Sequence, residues 1–327
     1  MSFNYKDFNN DHENWEGIYS RIFNKIILNK KITNITEFYE EINNIVIHDK
    51  VLWDKYQNSN LSSINYSDVN FQNAYMLRYC PIYWNTFSRI VKILNFLNCP
   101  NINETEIIKI ALCCGGPASE MIGIIKEFAK RKNFGGVIFN KIHFDIYDIN
   151  DWSYSRSIFK ELGVLTAATE LKNPNDLEIT YEDITLNFLD LKKVRKTFLD
   201  KKNYNFIIFQ NALNEMIAQK NKECDSLDRA NQFLISSIIQ EPIKSLSKNG
   251  YLIFFDRSNR GNSYEEVSLF FNLLNISLKD HNIKLLQHGY DEHKVIHESK
   301  IPAIIRERYI KNPSYWNKYR YRIFQNR

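Results

Sequence analysis

The chain is poor in the features that would announce a disulfide scaffold, a metal protein or a membrane protein. Its five cysteines are Cys80, Cys99, Cys113, Cys114 and Cys224, and no two form a CxxC pair. That spacing suits neither a disulfide framework nor a zinc site, and a reducing cytoplasm is the expected compartment. The seven histidines show no metal spacing, and Asp291-Glu292-His293 and His297-Glu298 read as surface loop. No apolar run is long enough to span a bilayer. The N-terminal stretch MSFNYKDFNNDHENWEG lacks an apolar signal core and carries several acids, which argues against secretion and mitochondrial import. There is no internal repeat, no low-complexity segment and no nucleophilic triad.

Hydrophobic residues make up 44% and charged residues 25% of 327, ordinary for a soluble globular chain of one large domain or two modest ones. Aromatics are high at 14%. They can fill a large core or offer flat surfaces for stacking on a ligand or base. A net charge of +5 permits a nucleic-acid partner without demanding one.

From Trp15 to about Leu97 the apolar spacing is helical, with one helix through Ile18, Ile22, Ile26 and Ile27 and a second over Ile35 to Ile47. A long third starts near Ser67-Asp68 and runs to Leu94, kinked or split by Pro81. Cys99 to Asn103 reads as a linker. Residues 1–103 are therefore expected to form a helical subdomain, a cap that selects the substrate. From Glu106 onward strands and helices alternate, the pattern of a Rossmann-like, doubly wound α/β sheet of about seven strands over residues 104–327. Strands are expected at Ile107–Leu112, Lys141–Tyr147, Ile179–Phe188, Tyr204–Phe209, Gly250–Phe255, Lys284–His288 and Ala303–Tyr309. Helices are expected at Pro117–Arg131, Trp152–Leu162, Ser226–Leu246 and Glu265–Lys279.

In such a sheet the ligand lies beyond the C-terminal ends of the strands. The first strand ends in Cys114-Gly115-Gly116-Pro117-Ala118-Ser119-Glu120, a small-residue turn of the kind needed where backbone passes close beneath a ligand. It does not meet the dinucleotide pattern GxGxxG, which weighs against a nicotinamide cofactor. The second strand ends in Asp148, an acid that can accept the hydroxyl hydrogens of a ribose or cap the next helix; Asp145 is the other candidate. The third ends in Asp190, which can accept an adenine amino group or serve as an N-cap. The fourth delivers Gln210, Asn211, Asn214 and Glu215. Three amides and an acid behind a very apolar strand are costly unless they bind something. Asp256, at the end of the fifth, is open between a structural role and a place beside the substrate.

Together these segments resemble a class I S-adenosylmethionine-dependent methyltransferase. Residues 114–120 are similar to the GGGPGSE version of that family's first motif, and the resemblance covers about Glu106 to Tyr309. It implies S-adenosylmethionine as cofactor, with Cys114, Gly116 and Ala118 passing under its methionine part and Gly115 and Pro117 in the same cofactor-binding turn. It further implies Glu120 near the charged end, Asp148 on the ribose, and Asp190, Gln210 and Asn211 lining the same site. Asn211, Asn214 and Glu215 would orient the nucleophile. Tyr75, Arg78, Tyr79 and Tyr83, on the helix before the sheet, would meet the substrate, although an aromatic stripe at that spacing also reads as core. Ala111, Cys114 and Ala118 depart from the family pattern, and the NPPY-type motif is absent. Those departures motivate an alternative, a non-catalytic RNA-binding or assembly module. The methyl acceptor stays open between RNA, protein and small molecule. The basic, aromatic tail from Arg306 to Arg322 hints at RNA, or reads as a solvated C-terminal helix.

Overall fold

The computed structural model describes residues 15–57, 64–83, 86–87, 100–201, 203–238, 240–257, 262–278, 282–294 and 316–327. Its architecture follows from β4 (Tyr204–Gln210), in which every residue is buried. A strand apolar on both faces needs covering layers on both sides, which is the condition of a parallel sheet flanked by helices. The other strands are β1 (Ile107–Cys113), β2 (Lys141–Asp148), β3 (Glu178–Thr185), β5 (Leu246–Arg257), β6 (Ile283–Lys294) and β7 (Trp316–Asn326). They form one seven-stranded sheet in the order β3-β2-β1-β4-β5-β7-β6. Strands β3, β2, β1, β4 and β5 run parallel, and β7 is antiparallel to both β5 and β6. The winding reverses between β1 and β4, which opens a crevice beyond their C-terminal ends.

The helices are α1 (Trp15–Asn29), α2 (Ile35–Gln57), α3 (Val69–Arg78), α4 (Cys80–Tyr83), α5 (Pro100–Asn103), α6 (Glu120–Phe134), α7 (Ser153–Glu170), α8 (Leu191–Leu199), α9 (Leu213–Asn221), α10 (Leu227–Ile238), α11 (Gln240–Lys244) and α12 (Asn262–Leu278). On one face of the sheet, Ile108, Ile110, Leu112 and Phe206 join Ile22 of α1, Phe38 of α2, Ile122 of α6 and Phe159 of α7 in a single buried cluster. On the other, Ala111, Cys113, Ile207 and Phe209 meet Val194 of α8, Ile217 of α9, Leu234 of α10 and Phe270 of α12. None of the helices among the described residues is long and apolar enough to cross a membrane.

Two expected elements differ, and a third divides as expected. The helix begun at Asp68, whose carboxylate caps it by accepting from Asn70 N, breaks at Tyr79, just before Pro81; its expected continuation falls largely outside the described residues. The expected helix Ser226–Leu246 is two shorter ones, and Leu246 already opens β5. After Gln210 the chain turns into α9. From residue 316 on, the tail is not a helix. Residues 316–326 form β7, inserted between β5 and β6, while the strand expected at 303–309 lies outside the described residues. The reason is periodicity. Tyr319, Tyr321 and Ile323 alternate onto one face of the sheet and Phe324 onto the other, a period of two that a strand buries and a helix does not. Those tyrosines are core, so they offer no platform for stacking bases. The Arg322 guanidinium lies over the Phe271 ring at 4.8 Å, and Arg320 donates to Ser268 Oγ.

Truncating a side chain at the centre of β4 tests this account. Phe206→Ala is expected to cost about 3–5 kcal/mol in urea unfolding, whereas Leu199→Ala, exposed at the end of α8, should change stability by about 0.5 kcal/mol or less.

Candidate functional site

The crevice beyond β1 and β4 is an open cleft of about 900 Å³ including its mouth. Its floor is the turn after β1. Gly115 N donates to Tyr147 O on β2 (2.9 Å), and Ala118 N donates to Gly115 O (2.7 Å). Cys114, Gly116 and Ala118 have φ of 55°, 49° and 62°. Glycine adopts the left-handed region freely, but Cys114 and Ala118 carry a Cβ and occupy it at a steric cost. At Gly115 the constraint is space instead: a Cβ there would come within 3.2 Å of both Ile146 and Leu112.

Asp148, the last residue of β2, fixes the turn. Its Oδ2 accepts from Gly116 N at 2.9 Å, and its Oδ1 accepts from Asn150 N (2.9 Å) and Trp152 Nε1 (3.3 Å). From beneath, Arg156 of α7 donates Nε to Gly116 O (2.8 Å) and Nη1 to Asp183 (3.3 Å). Burial lowers the proton affinity of that guanidinium, while Asp148, Asp183 and Glu120 act against the loss.

The helices before the sheet close one side. Gln72 of α3 donates Nε2 to Tyr66 O and Asp151 O, both at 2.8 Å, and its Oε1 accepts from Ser155 N at 3.0 Å. This one amide ties α3 to the start of α7. It holds an aromatic wall in which Trp152 stands 5.1 Å from both Tyr66 and Tyr75 between ring centroids. Tyr83, stacked 6.3 Å from Tyr79, lines the cleft further along.

The opposite side comes from the end of β4. Gln210 is buried, donates Nε2 to Tyr83 O (3.2 Å), and has an Oε1 that accepts no hydrogen bond from the described residues. Asn211 follows with φ 55°. Then α9 begins, capped by Asp256 of β5, whose Oδ2 accepts from Leu213 N (2.7 Å) and Asn214 N (3.3 Å). Asp256 is thus structural.

The cleft gathers Tyr75, Tyr83, Cys114, Gly115, Gly116, Pro117, Glu120, Asp148, Gln210, Asn211 and Glu215 from the residues expected in the sequence. Four expected residues do not line it. Asp190 is the N-cap of α8, accepting from Lys193 N at 3.1 Å. The Asn214 side chain turns away to donate Nδ2 to Asp256. Ala118 and Tyr79 are buried behind the lining. The side chain of Arg78 lies outside the described residues. Between the two acids of β2, Asp148 reaches the cleft. Asp145 faces the other way, accepting from Tyr204 OH and pairing with Lys201 Nζ at 3.4 Å and His143 Nε2 at 3.1 Å. His143, Asp145 and Glu182 converge closely enough to hold an ion, but Lys201 Nζ already stands among them, 2.7 Å from Glu182.

Sequence reasoning missed Tyr66, Asn187, Met216 and Gln219. For Gln219 a signal existed: it follows Glu215 at i+4 and shares its helix face, but only once α9 is recognised as a helix. Tyr66 sits in a turn far from the strands in sequence, and nothing local marks it.

The lining includes three acids, Glu120, Asp148 and Glu215, and no lysine, arginine or histidine among the described residues. Burial pushes the Glu120 carboxyl up to about 7, with Asp148 adding to the rise and its own backbone and Arg156 opposing it. Burial likewise pushes the Cys114 thiol up, assisted by Asp148 and Glu215. That thiol contacts Met216 Sδ at 3.8 Å.

No protein-family model and no curated protein matches this sequence. Among solved structures, the chain is similar to a putative class I S-adenosylmethionine-dependent methyltransferase from Listeria monocytogenes, with 14% identity, 95% of this chain and 87% of that one covered, and a TM-score of 0.40. It is similar to DszA carbon methyltransferase at 13% identity, covering 87% of this chain and 66% of that one, with a TM-score of 0.41. A third is a TehB-like methyltransferase from Corynebacterium glutamicum, at 10% identity over 86% of this chain and 99% of that one, with a TM-score of 0.31. At such identities and TM-scores these likenesses assign no residue a role.

The buried Glu120 makes stability fall with pH. Its carboxyl holds a proton in the folded state up to about pH 7 but only to about 4.5 when unfolded, so the folded state binds more protons between those values. Raising the pH from 5 to 8 is expected to cost the wild type on the order of 3 kcal/mol more than it costs Glu120→Gln. Urea unfolding of both proteins at the two pH values measures the difference; equal losses would mean that Glu120 does not titrate in this window.

Proposed function

We propose that the cleft binds S-adenosylmethionine and that the chain transfers its methyl group to an acceptor held beneath the α3–α4 side. The observation that carries this reading is the turn after β1. Positions 114, 116 and 118 all keep left-handed backbone although only Gly116 is a glycine. Non-glycine residues persist there when surrounding structure overdetermines them, and such positions concentrate at ligand sites. The path is held from both sides by Asp148 and Arg156 and runs directly under the cleft.

The residues fit that cofactor in three respects. The cleft is concave and lined by both apolar and polar groups, as small-molecule sites are. Its acidic lining suits a molecule with a sulfonium and an ammonium group. A carboxylate offers about four lone-pair sites. Asp148 spends two at Oδ1 and one at Oδ2 on the turn, which leaves Oδ2 room for one ribose hydroxyl. In this reading Glu120 faces the methionine ammonium. The adenine rests among Leu186, Phe188 and Leu189 beside Asn187, in place of the contact expected from Asp190. The sulfonium supplies an already activated methyl group. What falls to the protein is alignment of the acceptor and exclusion of water, tasks that suit polar positioning groups such as Gln210 and Asn211.

Calorimetric titration with S-adenosylhomocysteine tests the proposal. The wild type is expected to bind with micromolar affinity, and Asp148→Ala to lose about tenfold or more, because both the ribose contact and the brace on Gly116 disappear. Affinity should also rise as pH passes through 7 and Glu120 ionises. A folded wild type that does not bind would remove the methyl-transfer reading.

A further inference from the structure

We infer that His143, Asp145 and Glu182 bind a zinc ion, which displaces Lys201 from its place among them. The site is separate from the cleft and owes nothing to the methyl-transfer reading.

Its ligands come from two neighbouring strands. In β2, His143 and Asp145 are two residues apart and share one face of the sheet. In the parallel register of β2 and β3, Thr180 stands beside His143 and Glu182 beside Asp145. These four side chains therefore occupy the corners of one rectangle, and ladder hydrogen bonds fix its backbone. Sites built on strands hold their geometry better than sites built on loops. One ligand atom each from His143, Asp145 and Glu182 lies within 4.8 Å of the other two. His143 Nε2 and Asp145 Oδ1 are 3.1 Å apart. Zinc bonds of about 2.0–2.1 Å at a tetrahedral angle set two ligand atoms about 3.3 Å apart, so this pair is close to its bound geometry.

Two of the ligands are already oriented from behind. His143 Nδ1 lies 2.8 Å from Thr180 Oγ1. With Nε2 on the metal, the ring proton belongs on Nδ1, and Thr180 is placed to accept it. Metal-bound imidazoles are almost always held by such a partner. Asp145 Oδ2 accepts from Tyr204 OH, whose oxygen lies 2.7 Å from Tyr147 OH. Its Oδ1 is the oxygen turned toward His143. Asp145 is buried, but His143 is half-buried and Glu182 exposed, so an ion has a path from solvent. Water fills the fourth position of a tetrahedral zinc ion.

Charge favours the exchange. With the imidazole neutral, two carboxylates share one ammonium group: Lys201 Nζ lies 2.7 Å from Glu182 and 3.4 Å from Asp145. Lys141, earlier on the same strand, is paired with Glu178 at 3.0 Å. An ammonium only donates, so Lys201 cannot use the imidazole lone pair. A zinc ion neutralises both carboxylates and takes that lone pair as well. One imidazole and two carboxylates suit zinc better than magnesium or calcium, which take oxygen ligands. Lys201 sits in the short connection between α8 and β4, with its side chain 27% exposed, so its ammonium reaches water without loss of charge. The exchange balances: one zinc ion enters, the lysine leaves protonated, and the imidazole proton moves from Nε2 to Nδ1.

Calorimetric titration of zinc chloride into the full chain without an affinity tag, at pH 7, tests the site. The wild type is expected to bind one zinc ion. Lys201→Met removes the competing ammonium and should bind it about tenfold more tightly, whereas His143→Gln and Glu182→Gln should each lose about tenfold or more. Thermal melts without metal show that the variants fold. Cobalt(II) in place of zinc should give visible d–d absorption without the intense thiolate-to-metal band of a cysteine site. A wild type that binds no zinc would overturn the inference. So would affinity that survives His143→Gln, a thiolate band with cobalt, or a Lys201→Met protein that binds zinc no more tightly than the wild type.

Discussion

The carboxylate of Asp148 is the hinge-pin of the site. It takes the Gly116 amide on one oxygen and the Asn150 amide and Trp152 indole on the other. Through those bonds the end of β2 dictates the path of the turn after β1, and the left-handed residues at 114 and 118 become tolerable because neighbours hold them. Arg156 completes the arrangement from below by taking up the Gly116 carbonyl. A buried ion such as Arg156 is costly unless its donors are satisfied. Asp183 and the field of Asp148 and Glu120 offset part of that cost, although Arg156 Nη2 finds no partner among the described residues.

The same bonds couple the floor to the wall. Trp152 follows Asp148 by four residues, donates to it, and packs on Tyr66 and Tyr75. Gln72 then binds the backbone of both segments that present those rings. The helices ahead of the sheet are therefore registered against the turn by directional hydrogen bonds as well as by apolar contact. Directional bonds matter here because apolar packing alone would allow a helix such as α3 to slide by a fraction of a turn with little loss of buried area.

The parallel core of the sheet was legible because its strands are short, apolar and punctuated by polar ends: β1, β2 and β4 each fall within a residue or so of their expected bounds. The tail was not, because alternating tyrosine and arginine suggests a charged surface until a partner strand supplies the buried face; β7 finds that face only between β5 and β6, more than twenty residues away in sequence. Among site residues, the turn, Asp148, Gln210 and Glu215 were legible from their place at strand ends. Asp190 and Asn214 sit at equally suggestive places and do something else, since each meets the hydrogen-bonding need of a helix start. Sequence position marks which end of the sheet a polar residue occupies; it does not tell whether a nearby backbone amide claims it first.

That competition sharpens the meaning of the two glutamates. Both Glu120 and Glu215 stand in the first turn of a helix, where the macrodipole favours an acid and where stabilising the helix would be reason enough for them. An acid placed only for that purpose stands in water and has its proton affinity lowered by the helix. Glu120 shows the opposite: it is buried, and burial outweighs both its own backbone and Arg156 to raise the carboxyl to about 7. At neutral pH such a group destabilises the fold rather than supporting it. The arrangement makes physical sense when a cation enters the cleft and restores to the carboxylate the charge partner that burial has taken from it. The net positive charge of the whole chain says nothing about this; the sign that a ligand meets is set by the residues within a few ångströms of it, and among the described residues lining this cleft the ionisable groups are acids, with no Lys, Arg or His.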